Sequence, residues 1–117
     1  MLLDKSGKLV KKLDFRGTAL SKLDKLSAHE LFLIIMCAQQ SVNMRERFKA
    51  KELAPKDWTG TVYDPIQKVC DGKKEADKLF GVIIKQALIM TPLLFRQEET
   101  SDYEQEGVTY IREYLDF

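Results

Sequence analysis

The sequence predicts a small α+β domain, mainly helical and closing on a C-terminal β-hairpin. Two observations carry that prediction. Ser27, followed three residues later by Glu30, forms a capping box in front of a long apolar run. Further on, a helical stretch over residues 73–90 stops before Pro92 and gives way to strand-like segments, 93–96 and 108–115, on either side of a polar tip.

The elements follow in order. In residues 1–26, the stretch 4–8 (Asp-Lys-Ser-Gly-Lys) has turn composition and separates the apolar pairs Leu2-Leu3 and Leu9-Val10. That pattern makes either a small hairpin or a flexible basic arm. Leu20, Leu23 and Leu26 have the spacing of a short helical turn. The helix opened by Ser27 runs from 28 to about 41 and ends at Ser41 or Asn43. It is apolar nearly all round, which predicts a central helix covered on most sides. Residues 48–53 read as a short strand or bridge and a brief helical turn, stopped by Pro55. Residues 55–65 have loop composition with two large anchors, Trp58 and Tyr63. Pro65 suits the first position of a short helix over 65–70, with Asp64 as its cap. Asp71-Gly72 separates that helix from the long one.

Composition sets outer limits. A chain of 117 residues, 44% apolar and 32% charged, has the size and balance of one globular domain. Cys37 and Cys70 have no ligand-like spacing, which implies reduced thiols and a cytoplasmic setting, with Cys37 a small core residue. The N-terminus has no signal-peptide pattern. The longest apolar run, 31–38, falls well short of the ~20 residues that a bilayer requires.

Net charge is only +1, but it is unevenly placed. Residues 1–26 hold seven bases against three acids, a balance of +4, whereas residues 96–117 hold two against seven, a balance of −5. Such asymmetry steers an anionic partner to one end, or lets opposite ends meet within one chain or between two copies.

On a helix over 73–90, Lys74, Lys78, Gly81 and Lys85 fall in one stripe, with the apolar residues mostly elsewhere, which is the pattern of an ordinary solvated face or of a helix that enters a DNA groove. The order of capped helix, short element, short helix, long helix and hairpin resembles a winged helix-turn-helix domain over residues ~27–117. That resemblance rests on element order. It implies a three-helix core with residues 1–26 as an appended arm or hairpin, the long helix in the recognition position and the hairpin as wing. It also implies double-stranded DNA as a partner and a regulatory role.

On that reading Lys74, Lys78, Lys85 and Gln86 are the contact residues, Gln86 being the plausible base reader, and Arg45, Arg47 and Lys49 support them. Gly81 would let the helix backbone come close. The acidic hairpin tip (Glu98, Glu99, Asp102, Glu104 and Glu106) opposes it, because carboxylates along a duplex repel phosphate. The alternative is a protein-interaction or dimerisation module without nucleic-acid binding, using Trp58 and Tyr63 in their loop and Tyr110 and Tyr114 near the end, with Tyr103 and Phe117 beside them. A homodimer through the terminal strand is one form of it.

An enzyme is not expected. The chain's one histidine, His29, sits in the capping box, and no Ser/His/Asp set, phosphate loop or dinucleotide fingerprint is present. One His and two distant Cys make no zinc site, and no cofactor or membrane partner is implied.

Overall fold

The computed structural model describes residues 1–12, 18–99 and 108–114. It is an α+β fold. Strands β1 (Leu2–Leu3) and β2 (Leu9–Val10) are followed by helices α1 (Thr18–Leu23) and α2 (Ala28–Asn43). Then come β3 (Arg47–Lys49), α3 (Ala50–Leu53), α4 (Asp64–Val69), α5 (Lys73–Met90), β4 (Phe95–Glu99) and β5 (Val108–Arg112). The strands form one five-stranded sheet in the order β2-β1-β4-β5-β3.

The turn between β1 and β2 follows from its residues. One Asp4 carboxylate oxygen accepts from the Ser6 and Lys8 amides, each at 2.9 Å, and from the Ser6 hydroxyl. Gly7 supplies the positive φ of 86° that closes the turn. The hydrogen bond from the Ser6 side chain, before the other contacts, holds the Asp4 carboxyl below the usual carboxylate range. β1 also pairs in parallel with β4, so the N-terminal strands belong to the same sheet as the C-terminal hairpin. Leu2, Phe95, Tyr110 and Phe48 share one face of the sheet by register, and all four are buried. There Phe48 meets Phe95 edge-on at 6.0 Å and Tyr110 at 5.6 Å.

α5 is the centre of the molecule. It packs against all four other helices, and Ala76, Leu79, Phe80, Val82, Ile83, Ile84, Ala87 and Leu88 are buried along it. Trp58 and Tyr63 close on Phe80, at 5.6 Å and 5.0 Å between ring centroids, and so pin the 54–63 loop to this helix. At its C-terminal end the α-amino group of Met1 donates to the carbonyls of Leu88, Thr91 and Leu93, placing positive charge where the helix dipole is negative. The Thr91 hydroxyl donates to Asn43 Oδ1 at 2.6 Å, which ties the C-terminal ends of α5 and α2 together.

α2 differs from the expectation of a helix covered on most sides. Only Ile34, Ala38 and Val42, one narrow stripe at intervals of four, are fully buried. α5 takes the central place, and α2 lies against it with its outer side open. Asp64 also differs from its expected role. Tyr63 is the cap residue of α4 and Asp64 is its first residue; the Asp64 carboxylate accepts from Gln67 within the same turn.

The capping box of α2 is present in full. The Glu30 amide donates to the Ser27 hydroxyl at 3.1 Å, and the Ser27 amide donates to the Glu30 carboxylate at 3.0 Å. That backbone bond, above all, holds the Glu30 carboxyl below its ordinary value. A carboxyl depressed in the folded state stabilises above its unfolded pKa, and that contribution disappears as pH falls through the folded pKa. Ser27→Ala is therefore expected to destabilise the fold by about 1 kcal/mol in urea unfolding near neutral pH. Because an alanine at 27 keeps the amide that holds Glu30, the pH-dependent part is read in Glu30→Ala, whose gap from the parent should narrow as pH drops below the ordinary glutamate range.

Candidate functional site

Each candidate residue now has a place. Lys74 and Lys78 are exposed on the first half of α5, together with Lys73. Lys85 and Gln86 are half-buried, because the second half of the helix runs through the core. The stripe is thus open at one end and closed in at the other. Arg45 and Arg47 are exposed, but Lys49 is 8% exposed and engaged within the fold, so it is not presented to a partner. Its position explains this. Lys49 lies opposite Thr109, which lies opposite Glu98, on a sheet row where Thr109 itself is buried.

The two basic clusters are also not brought together. Arg45 follows Asn43, which is bonded to Thr91 at the C-terminal end of α5. Lys73 and Lys74 begin the helix, and at 1.5 Å per residue the two ends are separated by roughly 25 Å. Gly81 has open space where a Cβ would be, with no atom within 4 Å.

The aromatic candidates divide sharply. Trp58, Tyr63 and Tyr110 are buried core residues, not a surface patch. They are buried because their rings supply the contacts to Phe80 and Phe48. Burial pushes the Tyr110 hydroxyl up to about 12 and raises that of Tyr63, against a smaller opposing contribution from Ser41. Tyr114 is 62% exposed, yet its hydroxyl donates to Glu46 at 2.8 Å and its ring lies under Arg112 at 5.1 Å. Tyr103, Phe117 and the acidic tip residues Asp102, Glu104 and Glu106 lie outside the described residues.

A cavity of about 720 Å³ opens at the start of α5, lined by Lys56, Asp57, Trp58, Asp64, Lys68 and Lys73 among others. Its charges are of both signs, and Asp64 and Lys68 face each other at 3.5 Å. Cys70 borders it, but burial pushes the thiol up, away from a reactive thiolate. On the far side of this corner, Lys22 of α1 reaches Asp71 at 3.2 Å and Glu75 at 3.4 Å, joining α1 to the start of α5. Among the described residues, no group of His, Cys, Asp and Glu is arranged to hold a metal ion, and no helix is long and apolar enough to cross a membrane.

The surface with most chemical character is one that sequence reasoning assigned to the core. Phe32 is 61% exposed, Leu33 41% and Met36 42%. They share the outer face of α2 with exposed His29 and Gln40. Residues 31–44 hold no charged side chain, in a chain that is 32% charged. Met44, just beyond the helix, and Met90, at the C-terminal end of α5, are exposed as well. The signal was in the sequence as this charge-free run, but an apolar run alone does not distinguish a buried helix from one that awaits a partner.

No protein-family model, curated protein or solved structure matches the chain.

Because nothing approaches Gly81 within the fold, Gly81→Ala should gain helix propensity without a clash. Stability is expected to rise by about 0.5–1 kcal/mol in chemical denaturation.

Proposed function

We propose that this chain is a protein-interaction module, a binding domain and not an enzyme, that docks through the outer face of α2. The observation that carries this reading is the exposure of Phe32, Leu33 and Met36 within a charge-free helix. Apolar surface left in water costs about 25 cal/mol per Å² relative to burial, so a contiguous patch of this kind marks a contact surface. Methionine suits such a surface because its flexible, polarizable side chain adapts to the shape opposite, and all four methionines here are among the exposed apolar residues. A photoreactive phenylalanine analogue at position 32, in cells making the full chain, is expected to give a covalent protein adduct. The same group at exposed Lys8, in the turn between β1 and β2, serves as the reference. Equal labelling at both positions, or none at position 32, would count against docking by α2.

A second reading is favoured by one observation, the exposure of Lys73, Lys74 and Lys78 on α5. With the element order of a winged helix-turn-helix, it supports a domain that touches DNA phosphates through the start of its long helix. The half-burial of Lys85 and Gln86 leaves that contact mostly sequence-independent. A labelled random duplex separates the two. Docking through α2 predicts no binding at ~50 mM salt. Micromolar binding that weakens steeply by ~200 mM, and is lost in the Lys74→Glu/Lys78→Glu variant, would establish the nucleic-acid face instead.

A further inference from the structure

We propose that the cavity at the start of α5 binds a small organic anion, one carboxylate or phosphate group on a flat apolar body. Lys56 and Lys73 hold the charge, and Trp58 and Ala76 line the place of the body. This site is independent of the α2 face and adds a ligand to the domain.

At about 720 Å³ the cavity has the size that takes a small molecule. Its apolar wall is already built. Trp58 is only 8% exposed and its ring packs on Phe80, so the indole is fixed before any ligand arrives. The Trp58 carbonyl accepts from the Thr61 amide at 3.0 Å and from the Thr61 hydroxyl at 2.8 Å. Gly60 turns the loop between them with a φ of 77°. Ala76, buried on α5, completes this part of the lining. A wall that needs no ordering on binding loses less affinity to entropy.

The charged lining groups divide by the partners they already have. Asp57 accepts from the Thr59 amide at 3.0 Å, which holds the loop. Asp64 accepts from Gln67 and pairs with Lys68 at 3.5 Å. The bond from Gln67, before the other causes, keeps the Asp64 carboxyl below the usual carboxylate range. Among the described residues, the exposed Lys56 and Lys73 side chains have no such partner. What the cavity leaves open to a ligand is two ammonium groups beside an apolar wall. An ammonium acts on carboxylate and phosphate alike as a point charge, so the site selects an anion. A cation would meet two like charges, with both carboxylates already engaged. The indole favours a flat apolar body over a bare inorganic ion.

Trp58 is the chain's one tryptophan, so its emission reports on this cavity. The test is titration of the full chain with phenyl phosphate, benzoate and uncharged benzamide, followed by that emission. At least one of the two anions is expected to give a saturable change with a Kd on the order of 1 mM or below, the scale for so small a probe. Benzamide should bind about tenfold more weakly or not at all. Lys56→Gln/Lys73→Gln should weaken the better anion by about tenfold or more, while circular dichroism and the urea midpoint stay those of the parent. A second measurement needs no variant. In amide NMR of the parent chain, the shifts caused by the better anion should gather at residues 56–60 and 68–76. No saturable change with either anion overturns the inference. Equal binding of benzamide, shifts that gather elsewhere, or undiminished binding in the double variant overturn it as well. The tighter of the two anions decides between phosphate and carboxylate as the group the site takes.

Discussion

The burial of α5 is the constraint on which the rest of the molecule depends. Eight of its side chains are withdrawn from water, and every other helix rests on it. The aromatic ring of Phe80 anchors the 54–63 loop through Trp58 and Tyr63, and Lys22 fastens α1 to its first turn through Asp71 and Glu75. Its last turn receives the Met1 ammonium and, through Thr91, the end of α2. A helix held on this many sides has little surface left for a ligand. What remains is its first half, where Lys74 and Lys78 reach solvent, and that limits any role it has outside the fold.

The same constraint explains why α2 is the more available element. A domain of this size has room for one helix surrounded by others. Once α5 occupies that place, α2 covers one side of it and needs only the stripe Ile34, Ala38 and Val42 for the purpose. Its remaining apolar residues are surplus to the core. A charge on that face would have served solubility equally well, and none is present over residues 31–44. The exposed apolar surface and the missing charge are two aspects of one property, a helix with a packed inner side and an unpaired outer one.

Local signals in the sequence were read well, and long-range relations were not. The capping box of Ser27 and Glu30, the turn after Asp4, the separation of helices at Asp71-Gly72 and the stop before Pro92 are each decided within a few residues, where side-chain to backbone bonding dominates. The parallel pairing of β1 with β4 and the addition of β3 beside β5 join segments far apart in the chain. Those strands are two and three residues long, too short for alternation to be seen. Composition also leaves burial open between two readings, anchors that pin a loop to the core and a contact surface. Trp58, Tyr63 and Tyr110 complete aromatic contacts with residues distant in the chain, and that decides for the core. The roles of α2 and α5 were exchanged because hydrophobicity ranks α2 as the more apolar helix, whereas position in the fold gives the core to α5.

Amide hydrogen exchange, read residue by residue on the intact chain, tests the central role of α5 most directly. The account predicts that amides of residues 79–88 exchange only through global unfolding, and therefore more slowly than any in α1 or α3. Protection of residues 79–88 no greater than that of α1 would contradict it, since a helix that opens so readily cannot be the support on which the other four rest.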